Sequence, residues 1–111
     1  MYKRQPYGAS VTVSQVSASS GFLAEDLEGP VGEAVGRISR DVFEAAPGYI
    51  FCGASIGTLP LFGRAFPGAP FINTGALAPD TNAHAPFEYL PLGYAEKLTR
   101  FLAELMHSME E

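Results

Sequence analysis

Tyr49-Ile50-Phe51-Cys52-Gly53-Ala54-Ser55-Ile56-Gly57, taken with Phe71-Ile72-Asn73 further on, is the stretch on which the fold reading turns. Tyr49, Ile50 and Phe51 are β-favouring residues that run into a glycine loop. A short helix is expected over about Leu59 to Phe66, then a turn at Pro67-Gly68, then a second short strand at Phe71-Ile72-Asn73. The segment from Cys52 to Pro70 is long enough for a crossover, so the two strands can be parallel neighbours with a right-handed connection. The reading is an α/β fold with parallel strands and crossover helices.

The charge pattern around this stretch points the same way. Between Glu44 and Asp80 the only charged residue is Arg64. Ala45 to Gly63 therefore carries no charge over about the length of a membrane span, yet Pro47, Gly48, Gly53, Gly57 and Pro60 interrupt it. A spanning helix needs about 20 predominantly apolar residues in one element, so no membrane span is expected. Strands covered on both faces read as continuous apolar runs. A chain of 111 residues has few elements with which to cover them, which suggests part of a larger domain.

Upstream, Val11 and Val13 alternate with polar residues, giving a half-buried strand over Ser10 to Val16 with a bulge near Gln15. Gly29-Pro30 signals a helix start. Val31, Val35, Ile38 and Val42 then form one apolar stripe of a helix ending near Ala46, before Pro47-Gly48. Downstream, Gly75 to Pro86 is a polar loop holding Asp80, Asn82 and His84. A final helix runs from about Leu92 to His107, with Tyr94, Leu98, Phe101, Leu102 and Leu105 on its buried face.

Composition narrows the function classes. With 47% hydrophobic and 17% charged residues the chain suits one small globular domain and not a disordered segment. A net charge of −5 excludes a nucleic-acid surface, which needs clustered Lys and Arg. A single cysteine, Cys52, makes no intramolecular disulfide and fits a reducing, cytoplasmic setting. No basic region followed by an apolar run marks a signal peptide. Met1-Tyr2-Lys3-Arg4-Gln5 reads either as the translation of a transposase sequencing adapter from a GTG start or as a basic N-terminal tail. In the first case residues 1–5 stand outside fold reasoning, and coding sequence precedes Pro6.

In open α/β sheets ligands bind beyond the carboxyl ends of the strands. The loops Gly53–Gly57 and Gly75–Pro86 would gather there. A glycine loop lets backbone N–H groups approach an anion, but Gly53-Ala54-Ser55-Ile56-Gly57 lacks the Lys of a phosphate loop. A tight turn needing small residues is the plainer reading of it. His84 is the one residue suited to a metal or acid–base role, since a neutral imidazole is a good zinc ligand. A surface histidine is the alternative, because a zinc site needs three or four ligands. His107, in the last turn of the final helix, and Cys52 receive no role.

From Gly53 onward the order of motifs resembles the C-terminal part of the zinc aminoacylase and carboxypeptidase family. That family includes acetylornithine deacetylase, succinyl-diaminopimelate desuccinylase, carnosinase-like dipeptidases and glutamate carboxypeptidase. It carries a GGSIP-like loop, an FP-x-A turn, a strand, a G-x-x-x-PD-x-x-AHAPNE segment and a last helix. The corresponding residues here are Gly53–Gly57, Phe66-Pro67-Gly68-Ala69, Pro70–Thr74, Gly75–Glu88 and the helix from Leu92. The run from Pro79 to Pro86, PDTNAHAP, is the most specific part. Two positions depart from the pattern: Phe51-Cys52 stands where many members have Arg-Glu, and Phe87 stands where asparagine is common. Glu88 is retained.

The resemblance implies a two-zinc catalytic domain with a smaller lid domain inserted into it. Residues 6–26 would be the end of the lid and its return linker, and residues 27–111 the C-terminal portion of the catalytic domain. His84 falls on the family's final zinc-binding histidine. Gly53, Ala54 and Ser55 match the loop that receives the substrate's carboxylate, while the general-base glutamate and other ligands would lie upstream of Pro6. The implied parent is a zinc-dependent amidohydrolase or exopeptidase cleaving an N-acyl amino acid or dipeptide with two zinc ions, or other divalent metals. It could form a homodimer through its lid. This chain alone would be inactive. The alternatives are a metal-free α/β module binding a small carboxylate through its glycine loop, and a remnant with no ligand.

Overall fold

The computed structural model describes Gly8, residues 20–50 and residues 56–110. Three helices form among them: α1 over Gly29–Phe43, α2 over Leu59–Ala65 and α3 over Leu92–Ser108.

Helix α1 begins where the sequence signals it. Pro30 occupies the first turn, where its missing N–H costs nothing. The helix stops three residues before Ala46, because Glu44 adopts a left-handed conformation (φ 60°) and its N–H bonds the Arg40 carbonyl at 3.0 Å. Ser39, buried despite its hydroxyl, donates to the Ala45 carbonyl at 3.0 Å and secures the same end. Helix α2 also carries a proline in its first turn, and none of its residues is buried. Helix α3 opens after Pro91, whose carbonyl accepts the N–H groups of Tyr94 and Ala95, both at 3.0 Å.

Helices α1 and α3 pack against each other, and α2 joins neither. Ala34, Val35, Ile38 and Val42 from α1 meet Phe101 and Leu105 from α3, with Leu27, Val31, Phe43 and Leu98 partly buried at the margin. Ile38 is wholly buried. Tyr94 and Leu102, expected on the buried face, lie at its exposed edge.

The α/β expectation is overturned: among the described residues there is no strand and no sheet. Phe71-Ile72-Asn73 is coil, and no backbone hydrogen bond ties it to another described residue. Its anchor is a side chain instead, the Phe71 ring standing edge-on to Phe22 at 5.0 Å. Tyr49 and Ile50 are coil as well, and Ile50 is 94% exposed. A strand needs a ladder partner to satisfy its N–H and C=O groups. Without one, three β-favouring residues do not make a strand. The strand expected over Ser10–Val16, and Phe51 itself, lie outside the described residues.

Much apolar surface stays open. Leu23, Ile50, Leu61, Phe62, Phe66, Leu77, Leu90, Leu92 and Met106 are all exposed. The charge-poor middle of the chain supplies several of these.

Candidate functional site

The segment Ala78–Tyr89 is a closed loop built from three successive turns. Thr81 N–H bonds Ala78 C=O at 3.1 Å, with Pro79 at the second turn position, where its fixed φ is favoured. Ala85 N–H bonds Asn82 C=O at 3.0 Å, and Glu88 N–H bonds Ala85 C=O at 3.2 Å across Pro86. Tyr89 N–H then reaches back to Thr81 C=O at 3.2 Å and closes the loop.

Thr81 is the pivot. Its side chain is almost wholly buried, and its hydroxyl donates to the Ala78 carbonyl at 2.8 Å. Sequence reasoning did not single it out. The cue was its place after Pro79-Asp80, since Ser and Thr readily bond nearby backbone in turns.

His84 stands at the third position of the middle turn with φ 62°, and Phe87 takes the same position of the next turn with φ 64°. Turns of this kind require a left-handed residue there and usually use glycine or asparagine. Asn82 is also left-handed, at φ 57°. Three non-glycine residues in this region within one loop mark a backbone held by its hydrogen bonds and not by local preference.

The polar side chains sort into separate partnerships. Asn82 donates from Nδ2 to the Pro86 carbonyl. The Asp80 carboxylate beside Tyr89 holds the phenol above its ordinary value, through hydrogen bonding first and then, with desolvation, through its charge. Glu88 accepts the His84 backbone N–H on Oε2 at 3.3 Å. The His84 imidazole is exposed. Glu88 and Tyr89 also border a shallow groove with Ala76, Leu77 and Leu90.

Among the described residues no three His, Cys, Asp or Glu side chains converge to hold a metal ion. One imidazole supplies one bond where a protein zinc site uses three or four. By themselves, then, the described residues do not fit a zinc ion. Gly53, Ala54 and Ser55 lie outside the described residues. With no sheet among the described residues, there are no carboxyl strand ends at which the two loops would gather. His107 sits in the last turn of α3, with Nδ1 3.9 Å from Glu110 Oε2, and takes no part in the loop.

No family model, curated protein or solved structure matches this chain. No helix among the described residues is long and apolar enough to cross a membrane.

Proposed function

We propose that this chain contributes one metal ligand, His84, to a zinc-dependent hydrolase that cleaves an amide bond of an N-acyl amino acid or dipeptide. The observation that carries the reading is the Pro79–Pro86 run, which resembles the family's final ligand segment and holds an exposed histidine at a turn position. The packing supports it from another side. The α1–α3 seam buries six residues while large apolar side chains remain exposed, as expected of elements that pack against further structure. The remaining ligands and the general base belong to that further structure. A single cysteine, Cys52, fits a reducing compartment such as the cytoplasm.

The test is to express the reading frame extended upstream of Pro6 and assay a panel of N-acyl amino acids and dipeptides. Hydrolysis is expected, with turnover nearly abolished by His84→Ala. An active extended protein indifferent to that substitution would exclude a ligand role for His84. An extended frame that encodes no further His, Asp or Glu ligands would exclude the whole reading.

A further inference from the structure

A cavity of about 420 Å³ lies between the segment that leads into α1 and the end of α2 with the chain just beyond it. That volume is in the range of small-molecule sites. No residue of the Ala78–Tyr89 loop borders it. Its lining divides by chemistry. Phe22, Phe66 and Phe71 supply rings, Glu25, Asp26 and Glu28 supply carboxylates, and among the described residues no Lys, Arg or His takes part.

The rings are held by one another and by the backbone. Phe22 and Phe71 stand with their planes at 66°, two walls of a corner, and Phe66 is stacked on Phe62 at 6.5 Å. Phe22 approaches α2 closely because Gly63 has no side chain, and a Cβ there would run into the ring. The carboxylates are exposed at the edge, and among the described residues none is paired with a basic side chain. Nor do they converge as a metal-holding group. A hard metal cation asks for a shell of oxygen ligands. Rings beside carboxylates suit a different cation, one that is bulky, weakly hydrated and drawn to aromatic faces as well as to negative charge.

We propose that this cavity binds a small organic cation of the quaternary or methylated ammonium class. The head group contacts the Phe22, Phe66 and Phe71 rings, and Glu25, Asp26 and Glu28 offset its charge. The remaining volume takes a short tail.

The experiment is amide NMR on the 111-residue chain, dilute enough to remain monomeric, titrated with choline chloride against sodium chloride at equal ionic strength. Saturating shifts are expected at Phe22, Gly63 and Phe71, roughly in the millimolar range, since cation–π contacts and exposed ion pairs are individually weak. Ile38 and Phe101, in the α1–α3 seam, should not respond. The uncharged isostere of choline, with carbon in place of nitrogen, should bind about fivefold more weakly. Phe71→Leu keeps apolar bulk without the ring and should weaken choline about threefold. Glu25→Gln, Asp26→Asn and Glu28→Gln together should weaken it at least as much, with the seam amides unmoved. Shifts no larger than those in sodium chloride would overturn the proposal. Equal binding of the isostere would do the same, since the cavity would then be a plain apolar cleft. So would calcium chloride moving the same amides as choline, which would make the acidic edge an ordinary counter-ion surface.

Discussion

The ring of Phe43, the last residue of α1, lies 5.4 Å from that of Tyr94 in the first turn of α3, and 6.0 Å from Phe101. The α1–α3 seam thus ends in an aromatic cluster where aliphatic packing runs out. Phe43→Ala should lose two ring contacts, about 1–3 kcal/mol. Ile38→Ala, at the fully buried centre, should lose about 2–5 kcal/mol. Chemical denaturation followed by circular dichroism checks both. A Phe43→Ala chain as stable as the parent would show that the aromatic cluster contributes nothing to stability.

Gly32 and Gly63 should respond to alanine in different ways. A Cβ on Gly32 would meet the backbone carbonyl oxygen of Leu27 far inside contact distance, so the chain entering α1 must shift. Alanine ordinarily favours a helix over glycine by about 1 kcal/mol. Overpacking against backbone costs about 1–3 kcal/mol, so Gly32→Ala should lower the melting temperature. At Gly63 the obstacle is the edge of the Phe22 ring, which can swing away at the expense of its contact with Phe71. Gly63→Ala should therefore leave the melting temperature nearly unchanged while abolishing Phe22–Phe71 cross-peaks in NMR. A raised melting temperature for Gly32→Ala would contradict the close approach.

The Tyr89 phenol is raised first by its hydrogen bond to Asp80, then by desolvation and by that carboxylate's charge. The proton is held more tightly in the folded loop than in the unfolded chain. The bond's support is therefore complete below a pH of about 10, the ordinary phenol value, and is lost as pH climbs through the raised one. Asp80→Asn should bring the Tyr89 midpoint down towards its ordinary value in an ultraviolet titration. Identical midpoints in parent and variant would remove the bond.

How much of this was legible in the sequence divides by element. The Val31, Val35, Ile38, Val42 stripe located α1 because a helix face is a local property, repeated every three to four residues. The same held for Phe101 and Leu105 in α3. Leu59–Ala65 was placed to within a residue, between the glycine loop and the turn at Pro67-Gly68. The strand expected at Phe71-Ile72-Asn73 failed because pairing is not local. Phe71-Ile72-Asn73 has the composition of a strand, and nothing in three residues tells whether a partner will lie alongside. In the candidate site, His84 was found by its chemistry. Thr81 and the Glu88 contact were not, since both act through backbone geometry that residue type alone does not reveal.

Exposed Leu61 and Phe62 on α2 and Phe66 just after it, with Leu90, Leu92 and Met106 elsewhere, should make the isolated chain associate. Contiguous apolar exposure beyond a few hundred Å² is an aggregation liability. Binding of an apolar dye and self-association as the concentration rises are expected. A sharp, reversible melt of a monomer with negligible dye binding would contradict the view that these faces await further structure.

On the proposed function, His84 is one ligand of a metal site completed by other elements. Its most direct test is zinc per chain, measured by inductively coupled plasma mass spectrometry on the upstream-extended protein and its His84→Ala variant, alongside the 111-residue chain. Two zinc ions are expected in the extended protein, fewer in the variant, and none retained by the 111-residue chain, whose single imidazole offers one bond. Equal zinc in the extended protein and its variant, or none in either, would contradict the assignment of His84.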